Sequence, residues 1–345
     1  MRVLVLSTSY PRGEGDVAGH FVAGQVEHVR RAGIEVTVVS PADFPHFGIA
    51  LGHGIVQNLR ARPWLAPLVP AFLAAYARAA RRAARGVDVV HAHWIPSGLA
   101  ALATGKPYVL QVWGTDVELA RRAPWLARPI LRRAAVVVAA STFLADAARD
   151  LGAREVRVVP PGVEIPENVA EPDEPPHVLY VGRLSEEKGI LEFLEATEGL
   201  PRVIVGDGPL RARVPEAVGF VPPGEVGRYY ERGAVLCVPS RREGYGMSAR
   251  EAMAHGRPAV VTAVGGLRDA VDDGETGLVV APADPAALRQ AIELVLADSA
   301  LRSRLGTAAA CVARERYSWP TAVDAALSAY AVAAGARGRR RAPDR

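Results

Sequence analysis

The sequence predicts an α/β protein with two Rossmann-like, doubly wound parallel-sheet domains that face each other across a cleft. The chain has 345 residues, half of them hydrophobic, which suffices for two cores. Short β-branched runs alternate with helical patterns, as in parallel sheets covered on both faces. One acidic, proline-rich segment, 164–176, lacks this alternation and is typical of an interdomain linker.

Eleven short runs have the composition of buried strands. In the first half they are Arg2–Leu6, Glu35–Val39, Val87–His91, Tyr108–Val112, Val136–Ala139 and Val156–Val159. In the second half they are His177–Val181, Arg202–Val205, Ala234–Val238, Ala259–Thr262 and Gly277–Val280. The predicted organisation is a domain over 1–163, the linker 164–176, a domain over 177–318, a helix over 319–334 and a basic, disordered tail over 335–345.

Composition limits the environment and the partners. The net charge is +4, and no nucleic-acid partner is predicted. Cys237 and Cys311 cannot form a disulfide framework, which favours a reducing, cytoplasmic setting. The N-terminal apolar run is too short for a signal peptide, and the apolar stretch 64–77 is too short to span a bilayer. We therefore expect neither an exported nor an integral membrane protein.

The first chemical motif follows the strand 177–181. Gly182 permits a turn, Ser185 can cap a helix, and a helix N-terminus suits a phosphate. Arg183 and Lys188 add two cations on the same side. The alternative is that both are solvated surface cations and that Ser185 only caps the helix.

The second motif is Glu243-Gly-Tyr-Gly-Met-Ser-Ala-Arg-Glu251, after the strand 234–238. Glu243, Gly244 and Gly246 lie in a loop where glycines let the backbone approach a ligand. A carboxylate can accept two hydrogen bonds from a vicinal diol, which suits sugar or ribose hydroxyls. For Glu251 the structural alternative is a capping box with Ser248.

Further candidates stand after other strands. Gly206 and Gly208 end one strand, and the segment 263–267 suits close packing or ligand approach equally. In the first half, the glycine-rich loop Pro11–Phe21 opens a helix, where the backbone of Gly19 can meet a phosphate. Strand ends carry His91, His93 and Trp94, and then Trp113, Thr115 and Asp116. The two histidines have no third ligand at a suitable spacing, so zinc is not expected and no metal site is predicted.

Taken together, these segments resemble the retaining glycosyltransferases of family 4, which have the GT-B fold. The resemblance covers nearly the whole chain. It is carried, in order, by the glycine loop, HAHW, GTD, PPGVE, GRLSEEKG, GDGPL, the two glutamates eight positions apart and DGETGLVV. It implies a nucleotide-diphosphate sugar bound mainly by the C-terminal domain, an acceptor held mainly by the N-terminal domain, and a last helix that packs back on the first domain.

The resemblance also implies residue roles. Arg183 and Lys188 would contact the donor pyrophosphate, Glu243 the transferred sugar and Glu251 the ribose. The predicted donor site is completed by Gly19, Gly182, Gly208, Gly244, Tyr245, Gly246, Met247 and Ser248. The predicted acceptor site contains His93, Trp94, Trp113 and Asp116, of which His93 and Asp116 are also candidate catalytic residues.

Trp113 departs from the family pattern, which commonly has a histidine before Gly-Thr-Asp. A tryptophan cannot accept a proton, so a general base is unavailable at this position. In retaining members of this kind the departing phosphate oxygen is thought to take the acceptor proton. Such a mechanism asks the protein chiefly to stabilise charge on the leaving diphosphate, and Asp116 is then a candidate to orient the acceptor hydroxyl.

The prediction is a retaining hexosyltransferase that uses a UDP- or GDP-sugar, without a cofactor, in cell-envelope polysaccharide or glycolipid assembly. Alternatives of the same fold are a natural-product glycosyltransferase and a sugar-nucleotide epimerase. A dehydrogenase is rejected because the first strand is not followed by G-x-G-x-x-G. Segment 58–85 mixes Trp64, Leu65 and Leu68 with arginines. It is either a core helix with a solvated face or a peripheral membrane surface that admits a lipid-linked acceptor.

Overall fold

The computed structural model describes residues 1–13, 16, 18–50 and 54–339. The chain divides into two compact units. The first comprises Met1–Pro161 and Ala322–Arg345, and the second comprises Gly162–Thr321. Each unit contains one parallel sheet with helices on its faces, as the sequence predicts.

The first unit has a six-stranded sheet in the order β2-β1-β3-β4-β5-β6. The strands are β1 Arg2–Ser7, β2 Glu35–Val39, β3 Val89–His93, β4 Tyr108–Val112, β5 Val136–Ala139 and β6 Val156–Val158. The helices are α1 His20–Arg31, α2 Ile55–Ala61, α3 Val69–Ala83, α4 Ile95–Ala103, α5 Thr115–Arg122, α6 Pro124–Arg133 and α7 Thr142–Asp150. A 3₁₀ turn, Pro63–Leu68, joins α2 to α3.

The second unit has a five-stranded sheet in the order β11-β10-β9-β7-β8. The strands are β7 Val178–Val181, β8 Arg202–Val205, β9 Val235–Val238, β10 Ala259–Thr262 and β11 Gly277–Val280. The helices are α8 Ile190–Ala196, α9 Pro223–Arg232, α10 Met247–Ala254, α11 Pro285–Ala297 and α12 Ser299–Arg316, and α13 Trp319–Arg339 ends the described chain.

Side chains of the second sheet alternate between two cores. Along β7, Val178 and Tyr180 join one buried cluster, whereas Leu179 and Val181 contact the other. Strands buried on both faces read as continuous apolar runs, which is why the sequence revealed all eleven of them. In the first unit, one sheet face packs on Val22, Val26 and Val29 of α1 and on α13 residues such as Tyr330.

Some expected boundaries were wrong. β3 runs two residues later than predicted, so His93 as well as His91 lies within the strand, and both are buried. The apolar pattern gave no reason to extend the strand past His91 to His93. Asp88 accepts a hydrogen bond from the Arg2 N–H at 2.8 Å just before the strand begins.

Two other boundaries also differ. Segment 164–176 belongs to the second unit, where Asp173 pairs with Arg232 at 2.8 Å and Arg257 binds the carbonyl of Ala170. The last helix continues to Arg339 rather than ending at 334, so Gly335 lies inside the helix and does not end it. Residues 340–345 of the predicted tail lie outside the described residues.

Candidate active site

The predicted donor residues gather at the carboxyl edge of the second sheet. β7 lies between β8 and β9, so the chain leaves it on one side and returns on the other. Ligands of doubly wound sheets bind at such a reversal, outside the strand ends. The segments that follow these strands meet at this edge: Gly182–Arg183, Gly206–Gly208, Ser240–Gly246 and Ala263–Gly266.

Lys188 and Glu243 form an ion pair at this edge. The Lys188 Nζ lies 2.6 Å from the Glu243 Oε2, and the two side chains are 32% and 13% exposed. Gly189, with φ of 69°, packs so tightly on the carbonyl of Pro239 that a side chain at this position would overlap it. The Arg241 N–H also donates to the Glu187 carbonyl at 2.9 Å. The backbone itself therefore places a cation beside an anion 55 residues away in sequence.

Arg183 lies exposed on the same edge, directly after Gly182. The Tyr180 hydroxyl donates to the Arg183 carbonyl at 2.9 Å, and the Gly182 N–H donates to Val205 at 3.0 Å. Ser185 precedes a 3₁₀ turn, Glu186–Lys188, without a side-chain cap, and α8 begins only after Gly189. The predicted helix cap at Ser185 was therefore wrong, because a 3₁₀ turn separates Ser185 from the start of α8.

Gly206 and Gly208 belong to the wall of this edge. A side chain at Gly206 would overlap the carbonyl of Gly182, and one at Gly208 would overlap the backbone of Leu184. The loops after β7 and β8 are thus packed on each other. Gly208 was predicted to contact the donor, and in the structure its close neighbour is the backbone of Leu184.

The buried side chain of Arg250 holds the glycine loop 243–246 in place. This guanidinium is 1% exposed and lies over the rings of Tyr245 and Tyr317, at 3.9 and 4.7 Å from their centres. It also donates to the carbonyl of Tyr245. The Gly266 N–H donates to the Glu243 carbonyl at 3.1 Å, and a side chain at Gly266 would overlap Gly244. Of the two roles considered for segment 263–267, the contacts of Gly266 therefore show close packing.

Glu251 does not form a capping box. Helix α10 begins at Met247 with Gly246, φ 83°, as its N-cap, so Ser248 lies inside the helix. The Glu251 Oε2 instead accepts a hydrogen bond from the Tyr230 hydroxyl at 2.7 Å. Burial raises the pKa of Glu251, and the Tyr230 hydrogen bond opposes the rise. The capping box with Ser248 was therefore a wrong prediction, since the left-handed Gly246, two residues before Ser248, is the N-cap of the helix.

The first sheet has its own reversal between β1 and β3. Gly19 is the N-cap of α1 in a left-handed conformation, φ 65°, and a side chain there would overlap the carbonyl of Ser9. Three residues of the glycine-rich loop, 14, 15 and 17, lie outside the described residues. Gly19 directly precedes α1, a helix of 12 residues, at the carboxyl edge of the sheet.

Aromatic rings cover the edge next to Gly19. His93 stacks on Trp113, with ring centres 5.9 Å apart and planes 16° apart, and Phe21 lies 4.5 Å from Trp113. Trp94 joins them with a positive φ of 66°, a strained conformation for a tryptophan and one that is common at functional sites. His93, Trp94 and Trp113, three of the four predicted acceptor residues, thus form one cluster with Phe21.

His93 lies beside a second buried histidine, His91, with ring centres 4.2 Å apart, and both are neutral at pH 7. Burial lowers the pKa of His91 to about 4, and burial and the neighbouring His91 hold the pKa of His93 well below its usual value. His91 Nδ1 bonds to the Tyr330 hydroxyl at 2.8 Å. Among the described residues, the buried His93 Nδ1 and Trp113 Nε1 have no hydrogen-bond partner.

Asp116 has a different place from the one expected. It is buried, and its Oδ1 accepts from the N–H groups of Trp113 and Gly114 at 3.1 and 3.0 Å. Its Oδ2 accepts from Ile95 at 3.2 Å. Burial raises its pKa, while these backbone donors lower it. Both oxygens tie the loops after β3 and β4 together, so the geometry gives Asp116 a positioning role and not that of a group facing an acceptor hydroxyl.

The roles of Arg250 and Tyr230 were not predicted from the sequence. Arg250 shares a helix face with Met253 and Ala254, three and four residues on, and all three are buried. An arginine in an apolar helical stripe is the signal that points to such a buried guanidinium. No pattern marked Tyr230, which meets Glu251 only through the packing of α9 on α10.

Within the described part of the chain, no group of three or more His, Cys, Asp or Glu side chains is arranged to hold a metal ion. No helix there has both the length and the apolarity to cross a membrane.

Two family models match the chain. The model for Glycosyltransferase Family 4 matches residues 18–166, and that for Glycosyl transferases group 1 matches residues 163–311. The D-inositol 3-phosphate glycosyltransferase of Acidothermus cellulolyticus is 32% identical over 92% of this chain and 86% of its own length. A putative teichuronic acid biosynthesis glycosyltransferase of Bacillus subtilis is 29% identical over 85% of this chain and 88% of its own.

Solved structures agree on the fold. Sucrose-phosphate synthase from Thermosynechococcus elongatus superimposes with a TM-score of 0.78 and 23% identity, over 97% of this chain and 100% of that chain. HepE of Anabaena in complex with UDP has a TM-score of 0.71 and 18% identity, over 95% of this chain and 99% of that chain. The fold is GT-B, and this chain belongs to glycosyltransferase family 4.

Proposed function

We propose that this enzyme transfers a hexose from a UDP- or GDP-sugar to an acceptor hydroxyl with retention of configuration, in cell-envelope polysaccharide or glycolipid assembly. The observation that carries the proposal is the Lys188–Glu243 pair at the reversal of the second sheet. A diphosphate needs cations and a sugar needs hydrogen-bond acceptors, and this edge offers both within 3 Å of each other. Solved structures of Anabaena HepE contain UDP and UDP-glucose.

In the proposed complex, Arg183 and Lys188 hold the diphosphate, Glu243 accepts from the sugar hydroxyls and Glu251 accepts from the ribose. Backbone amides near Tyr245–Met247 complete the sugar site. Arg250 keeps this backbone in place because its guanidinium is locked between two rings. The acceptor lies on the aromatic cluster of the first unit.

The proposed reaction needs no protein base. The bond from the anomeric carbon to the phosphate oxygen breaks, the bond to the acceptor oxygen forms, and the acceptor proton passes to the departing phosphate. The protein stabilises the negative charge that develops on the diphosphate. This division of labour suits Trp113, which cannot take a proton, and His93, which is neutral and buried. We propose that Arg183 and Lys188 balance this charge without a metal, so a chelator should leave the rate unchanged.

Calorimetric titration with UDP and GDP tests the site. Lys188→Ala should weaken the better nucleotide by roughly tenfold to a hundredfold, as expected for a lost charged hydrogen bond. The chain has only one other lysine, Lys106, whose Nζ donates to the carbonyl of Val87 at 2.7 Å in the first unit. Lys106→Ala is the matched control and should bind as the parent does. Equal affinities for both variants would refute the diphosphate assignment.

Product analysis tests the rest of the proposal. Proton magnetic resonance should show the same anomeric configuration in product and donor, and an inverted product would refute retention. Nucleotide release should depend on added acceptor. Acceptor-independent conversion of one nucleotide sugar into another would instead identify an epimerase.

We also propose that the enzyme works at the cytoplasmic face of the membrane, where a lipid-linked acceptor would be available.

A further inference from the structure

A second ion pair lies beside Lys188–Glu243 in the second unit. The Arg241 Nε donates to the Glu192 Oε1 at 2.5 Å, and the two side chains are 52% and 6% exposed. Glu192 lies in α8, four residues after Lys188, and Arg241 lies two residues before Glu243. The two pairs therefore join the same two segments of chain, with the positions of the cation and the anion exchanged.

Further contacts connect these two segments. The Arg241 N–H donates to the Glu187 carbonyl at 2.9 Å, and the Arg242 guanidinium lies 3.8 Å from the Glu187 carboxylate. Both side chains of this outer pair are more than half exposed, so solvent screens their attraction. The Glu192 carboxylate is buried, and its attraction to Arg241 is stronger because charges interact more strongly away from water.

Stability alone does not explain the burial of Glu192. Its Oε1 accepts from Arg241, whereas its Oε2 is buried and has no hydrogen-bond partner among the residues that the structure describes. A buried carboxylate with one unsatisfied oxygen costs free energy, and an apolar pair of similar volume is often at least as stable. A buried polar group of this kind in a native structure calls for a reason other than stability.

Donor binding supplies such a reason. In the proposed complex Lys188 binds the diphosphate and Glu243 binds the sugar hydroxyls, so each gives up part of the contact that it makes with the other in the free protein. The loop that carries Glu243 then depends on other contacts for its position. The ion pair between Arg241 and Glu192 is close to Glu243 in sequence and involves neither of the two proposed donor-binding side chains.

We propose that Arg241 and Glu192 are positioning residues for the transfer reaction, and that their ion pair holds Glu243 where the transition state requires it. Both act through Glu243 and not on the sugar itself. A displacement of about 1 Å can lower a rate roughly 100-fold. A nucleotide without its sugar does not need Glu243, so its affinity should not depend on this pair. The inference rests on the proposed function for the role of Glu243.

Steady-state kinetics and denaturation of Glu192→Leu/Arg241→Met test the role. With nucleotide sugar and acceptor, kcat should fall by roughly tenfold to a hundredfold. The Kd of the free nucleotide should change by less than about threefold, because Arg183 and Lys188 remain. The midpoint of thermal unfolding should not fall, because an apolar pair replaces a half-satisfied buried carboxylate. A purely structural pair would give the reverse, with lower stability and an unchanged kcat, and that result would refute the proposal.

Single variants and a control separate charge from packing. Arg241→Met leaves Glu192 buried without its cation and should lower the unfolding midpoint by roughly 5 °C or more. Arg241→Lys should restore most of both kcat and stability, because it keeps the cation. The matched control Glu225→Leu/Arg228→Met removes an exposed ion pair of 3.2 Å from α9 and should behave as the parent does. An equal loss of kcat in the control would count against a specific role of Arg241 and Glu192.

Coupling to Glu243 distinguishes positioning from a direct effect. In a Glu243→Gln background, Glu192→Leu should lower kcat by less than about twofold, because the carboxylate through which it acts is already gone. The same fractional loss in both backgrounds would show that Glu192 acts by another route and would overturn the proposal.

A crystal structure of Glu192→Leu/Arg241→Met separates this inference from the proposed function. The Lys188 Nζ and the Glu243 Oε2, which are 2.6 Å apart in the parent, should move apart by about 1 Å or more. An unchanged distance would exclude the positioning role whatever the donor is. A displaced Glu243, together with a nucleotide affinity that does not depend on Lys188, would support the positioning role and contradict the proposed function.

Discussion

The carboxyl edges of the two sheets carry similar glycine loops but opposite chemistry. In the second unit, Lys188 bonds to Glu243 and Tyr230 bonds to Glu251. In the first unit, His93 and Trp113 stack in an aromatic cluster whose buried nitrogens lack partners among the described residues. A charged, internally bonded edge suits the proposed diphosphate donor, whereas a neutral aromatic edge suits the apolar faces of the proposed acceptor. The same fold thus occurs twice in the chain, and the loops after the strands make one edge charged and the other neutral and aromatic.

Breaking the charged edge should have the largest effect. Glu243→Gln and Lys188→Met are each expected to lower kcat/KM by roughly 100-fold to 1000-fold, as for loss of one stabilising group in a transition state. Because the two side chains bond to each other, the double variant should be little worse than either single one. Steady-state kinetics on the three proteins give the coupling. Strictly additive losses would show that the pair does not act as a unit.

Arg250 supports the charged edge from inside the protein. Arg250→Met should lower the free energy of unfolding by about 3 kcal/mol, because buried carbonyls lose a charged donor. Arg250→Lys should recover only part of this, since an ammonium lacks the planar fork. Urea denaturation measures both. The exposed Arg228→Met should cost less than about 0.5 kcal/mol, and a similar cost at both positions would contradict the role of Arg250.

The buried, neutral His91 of the first unit should make the free energy of unfolding fall at acidic pH. The pKa of His91 is about 4 in the folded protein and about 6.5 in an unfolded chain. The unfolded state therefore binds more protons between these values, and stability falls as the pH drops through this window. The loss from His91 should be of the order of 3 kcal/mol by pH 4. Unfolding free energies for the parent and His91→Gln should converge as the pH falls, and parallel curves would contradict the burial of a neutral imidazole.

Trp113 gives the smallest expected effect on the chemistry. If the leaving diphosphate takes the proton, Trp113→His should change kcat by less than about tenfold and add no ionisation to the pH–rate profile. Stability should fall, because the contacts with Phe21 and His93 are lost. A new basic limb with a faster rate would show that a base at this position does contribute.

Both sheets, the position of nearly every strand and the family could be predicted from the amino-acid sequence. Strands buried on both faces leave an apolar signature that does not depend on their neighbours, and motifs placed after strands meet at one edge of a parallel sheet. The sequence also singled out Lys188, Glu243, His93 and Trp113 as candidate site residues.

The contacts of these side chains, in contrast, could not be predicted and depend on the folded chain. Lys188 meets Glu243 because Gly189 packs on Pro239 across 50 residues of chain. Glu251 bonds to Tyr230 rather than capping its own helix, and Asp116 ties two loops together. Such contacts depend on residues distant in sequence, and a local pattern contains no information about which distant group will fill a given hydrogen bond.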